Sequence, residues 1–195
     1  MAQYGFYFDQ TLCVGCRTCQ IACKDKNRLE IGELYRNVHS YETGEYPMPG
    51  IYHLADTCHH CTEPACVAIC PTGRTKKDEG TGLIIHDPAI NCLGENCLGC
   101  IAACPYHHPV YRPEIKAVGK CDMCRDLIAN GEQPACVAAC MTRALDFGRM
   151  EDLKARHGDG LITEEPCLPA DSTGSNFLIK ARPCGLDKDF EEKFI

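Results

Sequence analysis

Sixteen of the eighteen cysteines in this 195-residue chain fall into four groups of four, and thiols at such short spacing are first of all candidate ligands. The first group is Cys13-x2-Cys16-x2-Cys19-x3-Cys23, and the second is Cys58-x2-Cys61-x4-Cys66-x3-Cys70 followed by Pro71. The third is Cys92-x4-Cys97-x2-Cys100-x3-Cys104 followed by Pro105. The fourth, Cys121-x2-Cys124-x11-Cys136-x3-Cys140, has a long gap that predicts a loop inserted between its second and third ligands. The final x3 step never varies. Three thiolates on a tight loop can wrap three irons of a 4Fe-4S cubane, while the fourth iron needs a thiolate from elsewhere. The chemistry predicted is transfer of single electrons, since a cubane changes charge by one electron with little rearrangement.

Two other uses of cysteine fit less well. Disulfides would need sixteen cysteines to match this grammar by chance, and adjacent CxxC thiols are poorly placed to staple distant segments. Zinc accepts paired CxxC knuckles, but runs of three or four close cysteines with Cys-Pro ends are not zinc-ribbon spacing, so no zinc site is predicted. Cys167 and Cys184 stand outside every group in a proline-rich tail and read as ordinary thiols, or as a disulfide in an exported protein. His59, His60, His107 and His108 are expected around the clusters rather than on them, with His60 the best placed to tune a potential. Arg17, Lys24, Lys76 and Lys120 near the loops are candidates to offset cluster charge, against a default of solvated surface. No nucleophile and base pair, Walker loop or dinucleotide fingerprint is present, so no catalytic residue is assigned.

The elements that must position these thiols follow from the spacing. The first run has the spacing of a bacterial ferredoxin half-site, and in two-cluster ferredoxins the last cysteine of each run ligates the other cluster. We expect that cysteine to start a short helix. Four runs then mean two pairs and four 4Fe-4S clusters. The chain also repeats: Glu63-Pro64-Ala65-Cys66-Val67-Ala68-Ile69-Cys70 returns as Gln133-Pro134-Ala135-Cys136-Val137-Ala138-Ala139-Cys140. Cys13-Val14-Gly15-Cys16 with Ile21-Ala22-Cys23 is echoed by Cys97-Leu98-Gly99-Cys100 through Ala103-Cys104. Runs one and three are therefore of one kind, and runs two and four of another. Pairing one with four and two with three joins unlike kinds, and so does pairing one with two and three with four. Short strand signals, Tyr4–Asp9 and Gly82–Asp87, feed runs one and three. The expected fold is α+β: a duplicated bacterial-ferredoxin-like fold, loop-rich and organised around four clusters.

Composition bounds the rest. The N-terminus lacks a basic region, a long apolar core, a cleavage site and a twin-arginine pair, so it does not read as a signal peptide. No stretch approaches the length of a membrane span, which predicts no direct membrane insertion. The formal charge of -7 argues against a nucleic-acid partner.

Beyond the cysteines, the chain resembles the four-cluster iron–sulfur subunits of the dimethyl sulfoxide reductase family of molybdenum and tungsten enzymes. The likeness runs through Tyr4-Gly5-Phe6, Cys58-His59-His60-Cys61-Thr62-Glu63-Pro64-Ala65-Cys66, Ala103-Cys104-Pro105-Tyr106, Lys120-Cys121-Asp122-Met123-Cys124 and Arg143-Ala144-Leu145-Asp146-Phe147-Gly148, about three quarters of the chain. It implies that run one pairs with four and run two with three. Cluster one then falls to Cys13, Cys16, Cys19 and Cys140, and cluster two to Cys58, Cys61, Cys66 and Cys104. Cluster three falls to Cys70, Cys92, Cys97 and Cys100, and cluster four to Cys23, Cys121, Cys124 and Cys136. The implied units are an outer one, 1–50 plus 113–150, and an inner one, 51–112; the tail, 151–195, matches only loosely, and Pro166, Pro169 and Pro183 suggest an extended segment lying on a partner. One departure is clear: Leu93-Gly94-Glu95-Asn96 puts two extra residues between the first two cysteines of run three. The resemblance implies a non-catalytic electron-transfer subunit working with a molybdopterin (Mo or W) catalytic subunit, with electrons coming from a quinol-oxidising membrane anchor or another donor. A terminal acceptor such as an S-oxide or N-oxide leads, with formate, arsenate, polysulfide and aromatic-hydroxyl chemistries also served by such subunits. A free-standing polyferredoxin is the alternative. Membrane association through partners is implied, on the extracytoplasmic face by co-export with a twin-arginine partner, with a cytoplasmic location as the alternative.

Overall fold

The computed structural model describes residues 2–194. Strand β1 (Tyr4–Asp9) leads into the first run and α1 (Thr18–Lys26), followed by a hairpin of β2 (Arg36–Thr43) and β3 (Gly50–Thr57). The second run carries α2 (Ala65–Ala68) and opens into a ribbon of β4 (Thr75–Lys77) and β5 (Ile84–His86). The third run carries α3 (Gly99–Ala102) and is followed by β6 (Val110–Arg112) and β7 (Ala117–Gly119). The fourth spans α4 (Arg125–Ala129) and α5 (Ala135–Ala138), after which come β8 (Leu145–Arg149), α6 (Met150–His157), β9 (Phe177–Lys180) and β10 (Phe190–Glu192). The structure is a mixed α and β fold, and much of it is loop.

β1 is the strand on which the runs are hung. It lies between β8, antiparallel, and β9, parallel, with Phe8 opposite both Leu145 and Ile179. Phe6 and Phe8 point into the core that holds many of the cysteines, each burial contributing roughly 2–3 kcal/mol. Tyr7 points the other way, packs with Leu153 and Leu178, and stacks on His157 at 3.5 Å. Because run one follows β1 and run four precedes β8, this pairing brings those two runs together, and α1 packs on α5. The β4–β5 ribbon does the same for runs two and three, whose helices α2 and α3 are in contact.

Four sequence expectations change in detail. The last cysteine of a run does not start a helix: the short helix lies between the third and fourth cysteines, so that Cys66, Cys100 and Cys136 lie within it and Cys70, Cys104 and Cys140 follow it. Pro64 and Pro134 set the extended entry into two of these helices. The eleven-residue gap in run four is not plain loop but carries α4, which caps through Asn130. Residues 151–194 are built into the body, not simply extended: Phe177, Leu178 and Ile179 are buried against β1, and Phe190 pairs with Thr43. Apolar side chains at three successive positions are most stable in a strand covered on both faces. A division at residue 51 also cuts β3, all of whose residues pair with β2.

Local backbone conformation recurs from run to run. The residue before the second cysteine is left-handed in run one (Gly15, φ 67°), run two (His60, φ 46°) and run four (Met123, φ 62°), which turns the chain so that both thiols face inward. After the last cysteine, Gly73, His107 and Arg143 are again left-handed, and each donates its N–H to the carbonyl of that cysteine three residues back. The extra residues of run three form a single 3-10 turn, Gly94–Asn96. Gly94 has φ 61°, and a Cβ there would lie 2.7 Å from the Lys116 carbonyl oxygen.

Candidate functional site

All eighteen cysteines are free thiols. Cys13, Cys16, Cys19 and Cys140 line one cavity with about 320 Å³ of empty space, alongside Phe8, Val38 and Leu145. Cys70, Cys92, Cys97 and Cys100 line a second, of about 330 Å³, beside His86 and Val118. Each cavity takes three thiols from one run and one from another. The remaining eight lie outside these two cavities. The thiols of Cys136 and Cys124 lie near enough to Cys23 to push it up, and those of Cys23, Cys58 and Cys136 do the same to Cys121. Cys66 neighbours Cys58, Cys61 and Cys104. The α2 helix, which carries Cys66, is in contact with the α3 helix, which carries Cys100.

These residues fit a cubane. Four thiols with mostly apolar neighbours line each of the two cavities, which is the donor set a cubane requires. Burial pushes the Cys66 and Cys23 thiols up to about 12, and those of Cys19, Cys61 and Cys124 to about 11. They are therefore protonated at neutral pH until iron binds, and cluster insertion must release protons. Cys70 and Cys16 are shifted the other way. Burial raises Cys70 too, but N–H and hydroxyl donors from Thr75 and Thr72 bring it down to about 7, and the Thr18 hydroxyl and N–H lower Cys16.

Groups donating to sulfur surround the sites. The Thr75 N–H reaches Cys70 Sγ at 3.4 Å, the Met123 N–H reaches Cys121 Sγ at 3.4 Å, and the Thr173 hydroxyl reaches Cys61 Sγ at 3.1 Å. Of the four histidines, His60 is fully buried and accepts the Ile84 N–H on Nδ1, while His107 sits on the exposed side of its turn. His59 and His108 turn toward Asp56, at 2.9 and 3.3 Å. Burial alone would raise the Asp56 carboxyl, but the two imidazoles hold it well below the ordinary carboxylate range.

The candidate cations divide. Lys76 pairs with Asp87 at the surface, Lys24 donates to the Glu30 and Glu33 carbonyls, and Arg17 serves as the left-handed cap of α1. Lys120 alone of the four is buried, its amine donating to the Ile84 and Cys121 carbonyls. Two side chains escaped the sequence reading: Arg36, fully buried, and Thr173, in the tail, on Cys61. Alternation along β2, with Arg36, Val38 and Ser40 on one face, was the available signal for Arg36. Thr173 had none, because its contact with Cys61 spans 112 positions.

Large apolar side chains remain exposed beside both cavities: Val14 and Met141 near Cys13 and Cys140, and Ile69, Leu93 and Leu98 near Cys70 and Cys97. No described helix is long and apolar enough to cross a membrane.

The chain matches two families described as 4Fe-4S dicluster domains, one over residues 50–150 and the other over 12–74. It is 38% identical over 195 residues to the B subunit of anaerobic dimethyl sulfoxide reductase from Escherichia coli K12, an alignment covering 94% of this chain and 93% of that one. The probable anaerobic dimethyl sulfoxide reductase subunit YnfG of the same organism is also 38% identical, with the same coverage. The NrfC homolog of Haemophilus influenzae is 40% identical over 156 residues, covering 77% of this chain and 66% of that protein.

Proposed function

Because the chain belongs to the family of 4Fe-4S iron–sulfur subunits that includes the B subunit of dimethyl sulfoxide reductase, we propose that it relays electrons through four clusters to a molybdopterin-bearing catalytic subunit. It is an electron-transfer subunit and not the catalytic one. The sixteen cysteines of the four runs are the proposed ligands. Cluster one takes Cys13, Cys16, Cys19 and Cys140, and cluster four Cys23, Cys121, Cys124 and Cys136. Cluster two takes Cys58, Cys61, Cys66 and Cys104, and cluster three Cys70, Cys92, Cys97 and Cys100. The observation that carries this is the pair of cavities, each lined by three thiols of one run and one of another.

When bound, each cluster supplies reversible one-electron storage. The chain does the rest. Helix α1 holds cysteines of two clusters on one rigid element, with Cys19 and Cys23 one turn apart. The β1 core excludes water from the thiols it holds, and N–H and hydroxyl donors to sulfur favour the electron-rich state. The exposed apolar residues beside the two cavities support docking of a partner at each, one catalytic and one supplying electrons. By likeness to the dimethyl sulfoxide reductase subunits, an S-oxide or N-oxide is the proposed terminal acceptor. A membrane-anchor partner and residence at the extracytoplasmic face belong to the same proposal.

The test is iron and acid-labile sulfide per chain in anaerobically purified protein, with zinc measured alongside. About sixteen irons, four for each cubane, is the expected result. Far fewer irons in undamaged protein, or zinc without sulfide, overturns the proposal.

A further inference from the structure

Arg36 opens β2 and is the largest fully buried side chain among the described residues, at 1% exposure. Its Nη1 donates to the Ala55 carbonyl at 2.5 Å, and its guanidinium carbon lies 4.8 Å from the centre of the Phe6 ring. Nε and Nη2 are buried with no hydrogen-bond partner, and no carboxylate pairs with it among the described residues. Arginine cannot shed its proton to escape such a position, and a buried, unpaired cation is strongly destabilising. The compensating charge must therefore lie beside it. The ionisable groups whose charge acts on it most strongly are thiols: Cys19 of cluster one, and Cys23, Cys121 and Cys136 of cluster four.

We propose that Arg36 is the counter-charge shared by clusters one and four, raising the reduction potentials of both relative to what their burial alone would give. This rests on the ligand assignment above. A cubane with four thiolates is net negative and becomes more so on reduction. A fixed cation in a low-dielectric interior therefore favours the reduced state. Burial acts in the opposite direction, and these two groups contain six of the eight buried cysteines. Lys120 differs, because its amine is already engaged by two carbonyls. Arg36 leaves two donors' worth of charge uncommitted, acting on thiols of both clusters.

The test is a redox titration followed by electron paramagnetic resonance on the intact complex, comparing wild type with Arg36→Met, Arg36→Gln and Arg36→Lys, with iron counted in each. The neutral variants are expected to lower the potentials of the two clusters held by runs one and four. The expected size is at least a tenfold fall in each reduction equilibrium constant, about 59 mV for a one-electron couple. Arg36→Lys should stay near wild type, and the other two clusters should not move. Unchanged potentials in a neutral variant with full iron, or an equal shift of all four clusters, overturns the proposal. If both neutral variants lose iron while Arg36→Lys keeps it, charge is what the site requires and the proposal stands. If Arg36→Lys loses iron too, the shape of the guanidinium matters more than its charge and the proposal fails. Wild-type iron well below sixteen would instead refute the ligand assignment.

Discussion

The half of the molecule built on runs one and four buries six of its eight grouped cysteines, whereas the half built on runs two and three buries only Cys58 and Cys66. The grammar of the two halves is nearly the same, so the difference comes from what surrounds them. In the first half the thiols share a core with Phe6, Phe8, Leu145 and Phe177 under a three-stranded sheet. In the second a ribbon of two three-residue strands and two one-turn helices carry the loops. A helix of four residues has no stability of its own. The first half can thus be formed largely by its apolar core, while the second depends on its ligands being held.

The largest expected contrast is between Cys136→Ser and Cys97→Ser. Each should cost about one quarter of the iron. Cys136 is part of the apolar core, and a hydroxyl there costs about 1–3 kcal/mol beyond the lost ligand. Cys136→Ser should therefore lower the thermal midpoint of the whole chain and loosen the neighbouring cluster, while Cys97→Ser should leave the β1 core folded. Equal destabilisation of the apoprotein fold by the two would break the comparison.

A smaller effect is expected at the join between the tail and the second half. Thr173 donates its hydroxyl to Cys61 Sγ, and a donor to sulfur favours the reduced cluster. Thr173→Val should lower the potential of the cluster at Cys58, Cys61, Cys66 and Cys104 alone, by on the order of 1 kcal/mol. An unchanged titration of that cluster would show that the contact is packing only.

A separate, pH-dependent effect is expected under the first half, where Gln10 Nε2 donates to Glu165 Oε2 at 2.9 Å. Burial raises the Glu165 carboxyl from 4.5 to about 7, so the folded state prefers it protonated. Its contribution to stability is fully present below pH 4.5 and is lost as pH rises through about 7, a change on the order of 3 kcal/mol. Melting across that window should show a downward slope in wild type and a flatter one in Glu165→Gln. The same slope in both would place the titration elsewhere.

Much of the site was legible because cluster ligation is a local constraint. Four thiols on short loops impose spacing, and spacing survives in a bare sequence, as do β1, which is Tyr4–Asp9 as expected, and β5 within Gly82–Asp87. Contacts between distant segments were not legible. α4 hides in what reads as an insertion, and β9 opens with only three apolar residues, Phe177, Leu178 and Ile179, beyond a stretch that holds Pro166, Pro169 and Gly174. A single short apolar run cannot announce which strand it will join.

By itself the sequence determined which cysteines act together within each run, and hence the chemistry, because ligand geometry is set over a few bonds of backbone. Only the tertiary structure decided which runs face one another, since two pairings fit the same repeats and the choice was made by β1 lying against β8 and by the β4–β5 ribbon. It also decided that Arg36 would be buried among thiols, because a strand's alternation says which face a residue takes but not what waits on the other side.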